Sequence, residues 1–135
     1  MEVIKTAISA AAFLASVSVA TAAPLTYTEL QLINGWTASP FGTRAPAAAL
    51  DGNDIVHLKG ALSGIVLNSL QPFVLPKKFR PKQDVYIAIG LINAKPGRLI
   101  IQPNGVVRIN PVRGISVPAD AVRFTLLEGV SYPRK

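Results

Sequence analysis

The chain has no cysteine, one histidine and one tryptophan. Without cysteine there is no disulfide framework, no thiolate metal ligand and no thiol nucleophile. With one imidazole, every acid–base scheme built on histidine must pass through His57. Charge is scarce as well: charged residues make up 16% of the 135 residues, against 50% apolar ones. Acidic residues are the scarcer sign, 7 against 14 Lys and Arg, leaving a formal net charge of +7. A chain this apolar has material for a core, and its length suits one domain. Its charge favours acidic partners such as anionic glycans, phospholipid head groups, lipopolysaccharide phosphates or nucleic acid, or simply supports solubility. Internal repeats, heptads and low-complexity segments are absent too.

Long helix-compatible spans are also missing. Eleven prolines punctuate the chain from Pro24 to Pro133. Most gaps between them are shorter than a helix of average length, and proline is tolerated only in a helix's first turn. What precedes them is different. Thr6 to Ala20 is an uncharged run rich in Ala, Ile, Phe, Leu and Val, with Lys5 before it and Ala20-Thr21-Ala22 after it. This order of basic residue, apolar run and small residues reads as a signal peptide, residues 1–22, cleaved after Ala22, or alternatively after Ala23. The alternative is an uncleaved anchor, although the run is short for a membrane span. Removal takes away Glu2 and Lys5 together, so the mature domain, residues 23–135, keeps its +7 charge. The location expected is secreted or periplasmic, with no transmembrane segment after cleavage. A cysteine-free chain is compatible with either place.

The mature region reads as strands and turns. Its most regular stretch is Asp51 to Gly60. Asp51 to Asp54 are turn formers, and Val56 and Leu58 then alternate with His57 and Lys59, as on a half-buried antiparallel strand. That strand is expected over Ile55–Ser63. Others are expected over Thr28–Ile33, Ala45–Leu50, Asp84–Leu91, Arg98–Gln102, Val106–Ile109 and Gly129–Tyr132. Ser69–Leu75, broken by Pro72, suits an edge or irregular position. Asp84–Leu91 is apolar on both sides, so both faces should be covered, one of them by a partner subunit. Pro103-Asn104-Gly105 is a hairpin signal, because Asn-Gly tolerates positive φ. Pro118 to Leu127 admits two readings. Pro and Asp could start a helix, but Val, Phe and Thr favour a strand over Val122–Leu127. About eight or nine short strands predict an all-β, jelly-roll-like antiparallel β-sandwich.

Several short motifs occur in order: Gly35-Trp36, Ala45-Pro46, Asp51-Gly52 with Val56-His57-Leu58-Lys59-Gly60, Leu75-Pro76, Phe79-Arg80-Pro81, Asn104-Gly105-Val106, and Leu127-Glu128-Gly129-Val130-Ser131-Tyr132. This order resembles the β-sandwich tip domain at the C-terminal end of bacteriophage tail fibres and other receptor-binding tail proteins, and of related bacterial surface proteins. The resemblance spans nearly all of the mature chain. It implies a jelly-roll-like module, a homotrimer, that presents loops to a host surface glycan without catalysis. Two departures stand out. An export-type segment lies where tail proteins carry a shaft, and Phe124 stands where the pattern has Trp before the closing strand. Ligand contacts in such modules sit on variable loops, so no binding residue transfers by resemblance.

The residues themselves offer few candidates for chemistry. His57 has no serine motif or second histidine to work with, and reads as a surface or interface residue. Asp51, Asn53 and Asp54 could offer oxygens to calcium, but turn formation accounts for them more simply. Asp120 and Glu128 are a carboxylate pair only by count, and nothing in the sequence sets their separation. The most suggestive cluster is Lys77, Lys78, Arg80 and Lys82 around Phe79. It could grip phosphate or sulfate on a surface polymer. Trp36 and Phe41 could stack on sugars, although a lone tryptophan more often belongs to the core. The sequence therefore points to a non-enzymatic, oligomeric binding module. It calls for no cofactor and no metal, and its partner would be a surface polysaccharide or other anionic polymer rather than nucleic acid. A structural protein that assembles through the apolar strand Asp84–Leu91, and a small exported hydrolase, are the alternatives.

Overall fold

The computed structural model describes residues 24–65 and 69–135. The export segment read at residues 1–22 lies outside the described residues. The strands are β1 (Thr28–Glu29), β2 (Thr37–Ala38), β3 (Ala47–Leu50), β4 (Ile55–Lys59), β5 (Ala61–Ser63), β6 (Val85–Gly90), β7 (Pro96–Ile101), β8 (Val107–Pro111), β9 (Thr125–Leu126) and β10 (Ser131–Pro133). One short helix, α1 (Pro118–Arg123), precedes β9. The strands form three antiparallel sheets, ordered β1-β3-β4-β10, β2-β5-β9 and β6-β7-β8. The architecture is all-β, as the alternation and the prolines lead one to expect. Ala48, Val56 and Tyr132 of the first sheet, Leu62 of the second and Leu99 and Ile109 of the third join one buried cluster. The sheets thus close on a single core in the manner of a sandwich. No helix among the described residues is long and apolar enough to cross a membrane.

Gly60 decides how the sheets divide. Ile55–Ser63, expected as one strand, is two strands in different sheets, parted at Gly60. Its φ is +94°, and a Cβ there would lie 2.4 Å from the Ala45 carbonyl oxygen. Only glycine lets the backbone cross so close to Ala45. The C-terminal ribbon follows the same bend. Ala61 pairs with Leu126 and His57 with Ser131, while between them Leu127 donates to the Gly60 carbonyl and Leu58 to the Val130 carbonyl. β3 can be built of alanine because it is an inner strand between β1 and β4. Its outer side at Ala47 lies between Glu29 and Lys59 in register, with the Lys59 ammonium 4.2 Å over the Tyr27 ring.

One further expectation is corrected. Val122–Leu127 is not one strand, because helix α1 takes its first residues and β9 keeps only Thr125–Leu126. Pro118 sits at the first helical position, and an Asp120 carboxylate oxygen accepts from the Val117 N–H at 2.8 Å. That end-capping outweighs the strand propensity of Val and Phe. Within one chain, β6 is covered on only one side. Ile89 is buried and Val85 and Ile87 pack on the core, whereas Tyr86 is 61% exposed and Ala88 is open. The 69–75 segment forms no strand of its own but covers the far edge of β8. Ile109 donates to the Leu70 carbonyl, and Val74 bridges Val106.

Candidate anion-binding surface

The basic cluster read from sequence is a single 3-10 turn, Lys77–Phe79, set between Pro76 and Arg80. Phe79 anchors it. The ring is 1% exposed, and the buried Tyr132 hydroxyl donates to the Phe79 carbonyl at 2.8 Å. Arg80 is also spent on the fold. Its Nε donates to the Leu75 carbonyl at 2.9 Å and lies where a Cβ on Gly105 would be 2.5 Å away, against the tip of the β7–β8 hairpin. Trp36, the other aromatic candidate, is 5% exposed and donates from Nε1 to the Ser69 carbonyl at 3.0 Å. Phe79 and Trp36 therefore have no open ring face for a sugar. The exposed cations of the cluster are Lys77, Lys78 and Lys82. The Lys78 ammonium leans on the Phe79 ring at 4.9 Å and towards Thr28 Oγ1 at 3.4 Å.

The acidic candidates are held in other ways. Asp51 accepts from the Asn53 N–H at 2.7 Å and the Ile55 N–H at 3.1 Å through Oδ1, and meets His57 Nε2 at 2.7 Å through Oδ2. The His57 hydrogen bond, then that of Ile55, holds the Asp51 carboxyl below its ordinary range. An oriented imidazole–carboxylate pair thus exists that the strand pattern alone does not reveal. Asp51 is the one hydrogen-bond partner of the His57 ring among the described residues; Ser131, its cross-strand neighbour on β10, makes no hydrogen bond to the ring. Asp54 pairs with Arg134 at 2.8 Å, stapling the turn to the C-terminus. Asp120 caps α1 and meets the Lys95 ammonium at 3.3 Å. Glu128 takes the Arg44 guanidinium through both oxygens and also accepts from the Gly60 N–H at 2.9 Å. Asp120 and Glu128 are therefore engaged by separate partners.

With Asp51, Asp54, Asp120 and Glu128 each holding a basic partner, the exposed positive charge stands out elsewhere. The outward face of the β6-β7-β8 sheet follows from its register. Tyr86 lies beside Ile100, which lies beside Arg108, and Ala88 lies beside Arg98, which lies beside Asn110. Arg98 and Arg108 are exposed and have no carboxylate within 4.0 Å among the described residues. They are diagonal neighbours on adjacent strands, with Cβ atoms about 7 Å apart. Tyr86 stands two strands from Arg108, roughly 10 Å away. At the β8 edge, Ser69, Leu70, Gln71, Arg108 and Asn110 line a cleft of about 230 Å³. No family model matches the chain, and no curated protein does.

Two guanidiniums, a carboxamide and an exposed phenol on one flat face can act together chemically. Guanidinium forks bind carboxylate, sulfate or phosphate oxygens in pairs, and a phenol ring packs on a sugar face. Arg98, Arg108 and Tyr86 escape a reading by charge runs because they are dispersed along the chain. The signal that could find them is the Asn104-Gly105 turn, which sets the β7–β8 register and with it the shared face.

Proposed function

We propose that the domain is a non-enzymatic binding module for an anionic polymer, with a cell-surface polysaccharide as its ligand. The polymer lies across the outward face of β6-β7-β8, on Arg98, Arg108 and Tyr86, with Lys77, Lys78 and Lys82 adding to the field. The observation that carries this reading is the division of charge. The internal ion pairs occupy Asp51, Asp54, Asp120 and Glu128, while Arg98 and Arg108 have no carboxylate within 4.0 Å among the described residues. Export, a trimeric assembly and kinship with tail tip domains belong to the same proposal and rest on the sequence motifs. The test is a glycan array probed at low and high salt. Binding to acidic glycans that weakens with salt supports the reading, and absence of any hit at low salt overturns it.

A second reading is assembly through β6. Leu91 donates to the Lys95 carbonyl, so by antiparallel alternation Tyr86 and Ala88 turn their N–H and C=O groups away from β7. β6 carries no charge and no proline, the usual guards of an open edge. Sedimentation tests this. A strict monomer at high protein concentration excludes it.

A further inference from the structure

A trough bordering the cationic face at Ala88 runs along the end and edge of β6. Its wider part is a cleft of about 480 Å³ between Phe41 and Phe124 on one side and Leu91 and Ala94 on the other. A narrower cleft of about 260 Å³ continues from it, sharing Gly90 and Leu126, and reaches Ile87 and Val130. The walls of the wider part are mostly apolar, those of the narrower part are mixed, and the wider volume falls in the range of small-molecule sites. Phe41 is 78% exposed, and its ring meets that of Phe124 with centroids 5.9 Å apart. A phenylalanine presented so openly is unusual in a surface turn.

The backbone of both walls is unusual too. Ser39 (φ 60°) and Phe41 (φ 57°) on one side, and Asn93 (φ 54°) and Ala94 (φ 59°) on the other, take left-handed conformations that cost free energy in non-glycine residues. Such conformations gather at ligand clamps. The shape is elongated, which suits a chain better than a compact ring. The ends differ in charge. Glu128 lines the narrow end, where it would repel an anion. Arg123, exposed and without a carboxylate within 4.0 Å among the described residues, directly precedes Phe124 at the wide end.

We propose that this trough binds a single-chain amphiphile with an anionic head, an acyl carboxylate. Its tail lies between Gly90 and Leu126 towards Val130, and its head lies at the Phe124 end by Arg123. Phe41 closes over the chain as the outer wall.

The experiment is a fluorescence titration of the purified protein with cis-parinaric acid, with parinaryl alcohol as the uncharged control. Saturable binding is expected, tighter for the acid. A Cβ at Gly90 meets only Leu126 Cδ2 at 4.0 Å, so Gly90→Leu fits the backbone and fills the trough. It should weaken binding by about tenfold or more while the thermal midpoint holds. Phe41→Ala, at a solvent-facing position, should weaken binding similarly and serves if Gly90→Leu misfolds. Arg123→Ala should bring the acid down to the affinity of the alcohol. Retention on immobilised dextran sulfate should be unchanged in Gly90→Leu and Phe41→Ala, which separates this site from the cationic face. No saturable binding by the wild type, or undiminished binding in a folded Gly90→Leu or Phe41→Ala protein, overturns the proposal. Equal affinity for acid and alcohol overturns the anionic head.

Discussion

Arg98 on β7 and Arg108 on β8 stand diagonally on the outward face of their sheet, because Arg98 pairs with Asn110 and Ile100 with Arg108. Both are exposed and neither supports the core. Replacing both with alanine should therefore leave stability within about 0.5 kcal/mol. The same change should move elution from immobilised dextran sulfate to clearly lower salt, since each lost cation removes counterion release. Unchanged elution would remove this face from the proposed function.

Tyr132 and Phe79 join the C-terminal strand to the basic turn through one buried hydrogen bond of 2.8 Å. Tyr132→Phe leaves the Phe79 carbonyl without that donor and should cost about 1–2 kcal/mol in urea unfolding. Hydrogen exchange should quicken around Lys77–Phe79, where the turn loses its tie.

Burial also pushes the Tyr132 phenol well above its ordinary value. The unfolded chain then releases this proton at a lower pH than the folded one. The contribution is complete below about pH 10, the ordinary tyrosine value, and falls away as pH rises above it. Urea midpoints from pH 8 to 11 should therefore decline less steeply in Tyr132→Phe than in the wild type. Parallel declines would contradict the assignment.

The acid limb has the opposite sign. Glu128 is held below the usual carboxylate range, first by its hydrogen bond to Arg44, and Asp51 likewise by His57. Groups lowered in the folded state stabilise it above their unfolded values, about pH 4, and lose that contribution as pH falls through the folded ones. Glu128→Gln should flatten the loss of stability expected between about pH 5 and 3, with thermal melts as the measurement.

Gly60→Ala tests the bend between β4 and β5. The new Cβ would sit 2.4 Å from the Ala45 carbonyl oxygen at a φ of +94°. The clash and the left-handed backbone together should cost on the order of 2–4 kcal/mol in urea unfolding. A near-neutral result would mean that the crossing can relax.

Much of the fold is legible in the sequence because strand geometry is local. The two-residue alternation of Ile55 to Lys59 places Val56 and Leu58 inside and His57 and Lys59 outside, as its burial pattern records. Asn104-Gly105 marks the β7–β8 hairpin, and Gly105 has the positive φ that the dipeptide tolerates. The helix at Pro118–Arg123 is harder to read, because its stability rests on Asp120 accepting from Val117 and on Lys95 from another part of the chain.

The sequence by itself determined the all-β class, the turns, the excess of positive charge and the exclusion of thiol chemistry. Tertiary structure decided which of the charged and aromatic residues reach solvent. The Lys77–Lys82 cluster is compact in sequence, yet Phe79 turns into the core and Arg80 onto the Leu75 carbonyl. Arg98, Arg108 and Tyr86 are dispersed in sequence, yet the strand register sets them on one face. Phe41 and Phe124 meet across the chain to form one wall of a trough. Alternation is a property of neighbouring residues, so a single strand reveals it. Register and burial depend on what packs against that strand from distant segments, and only the folded chain brings those segments together.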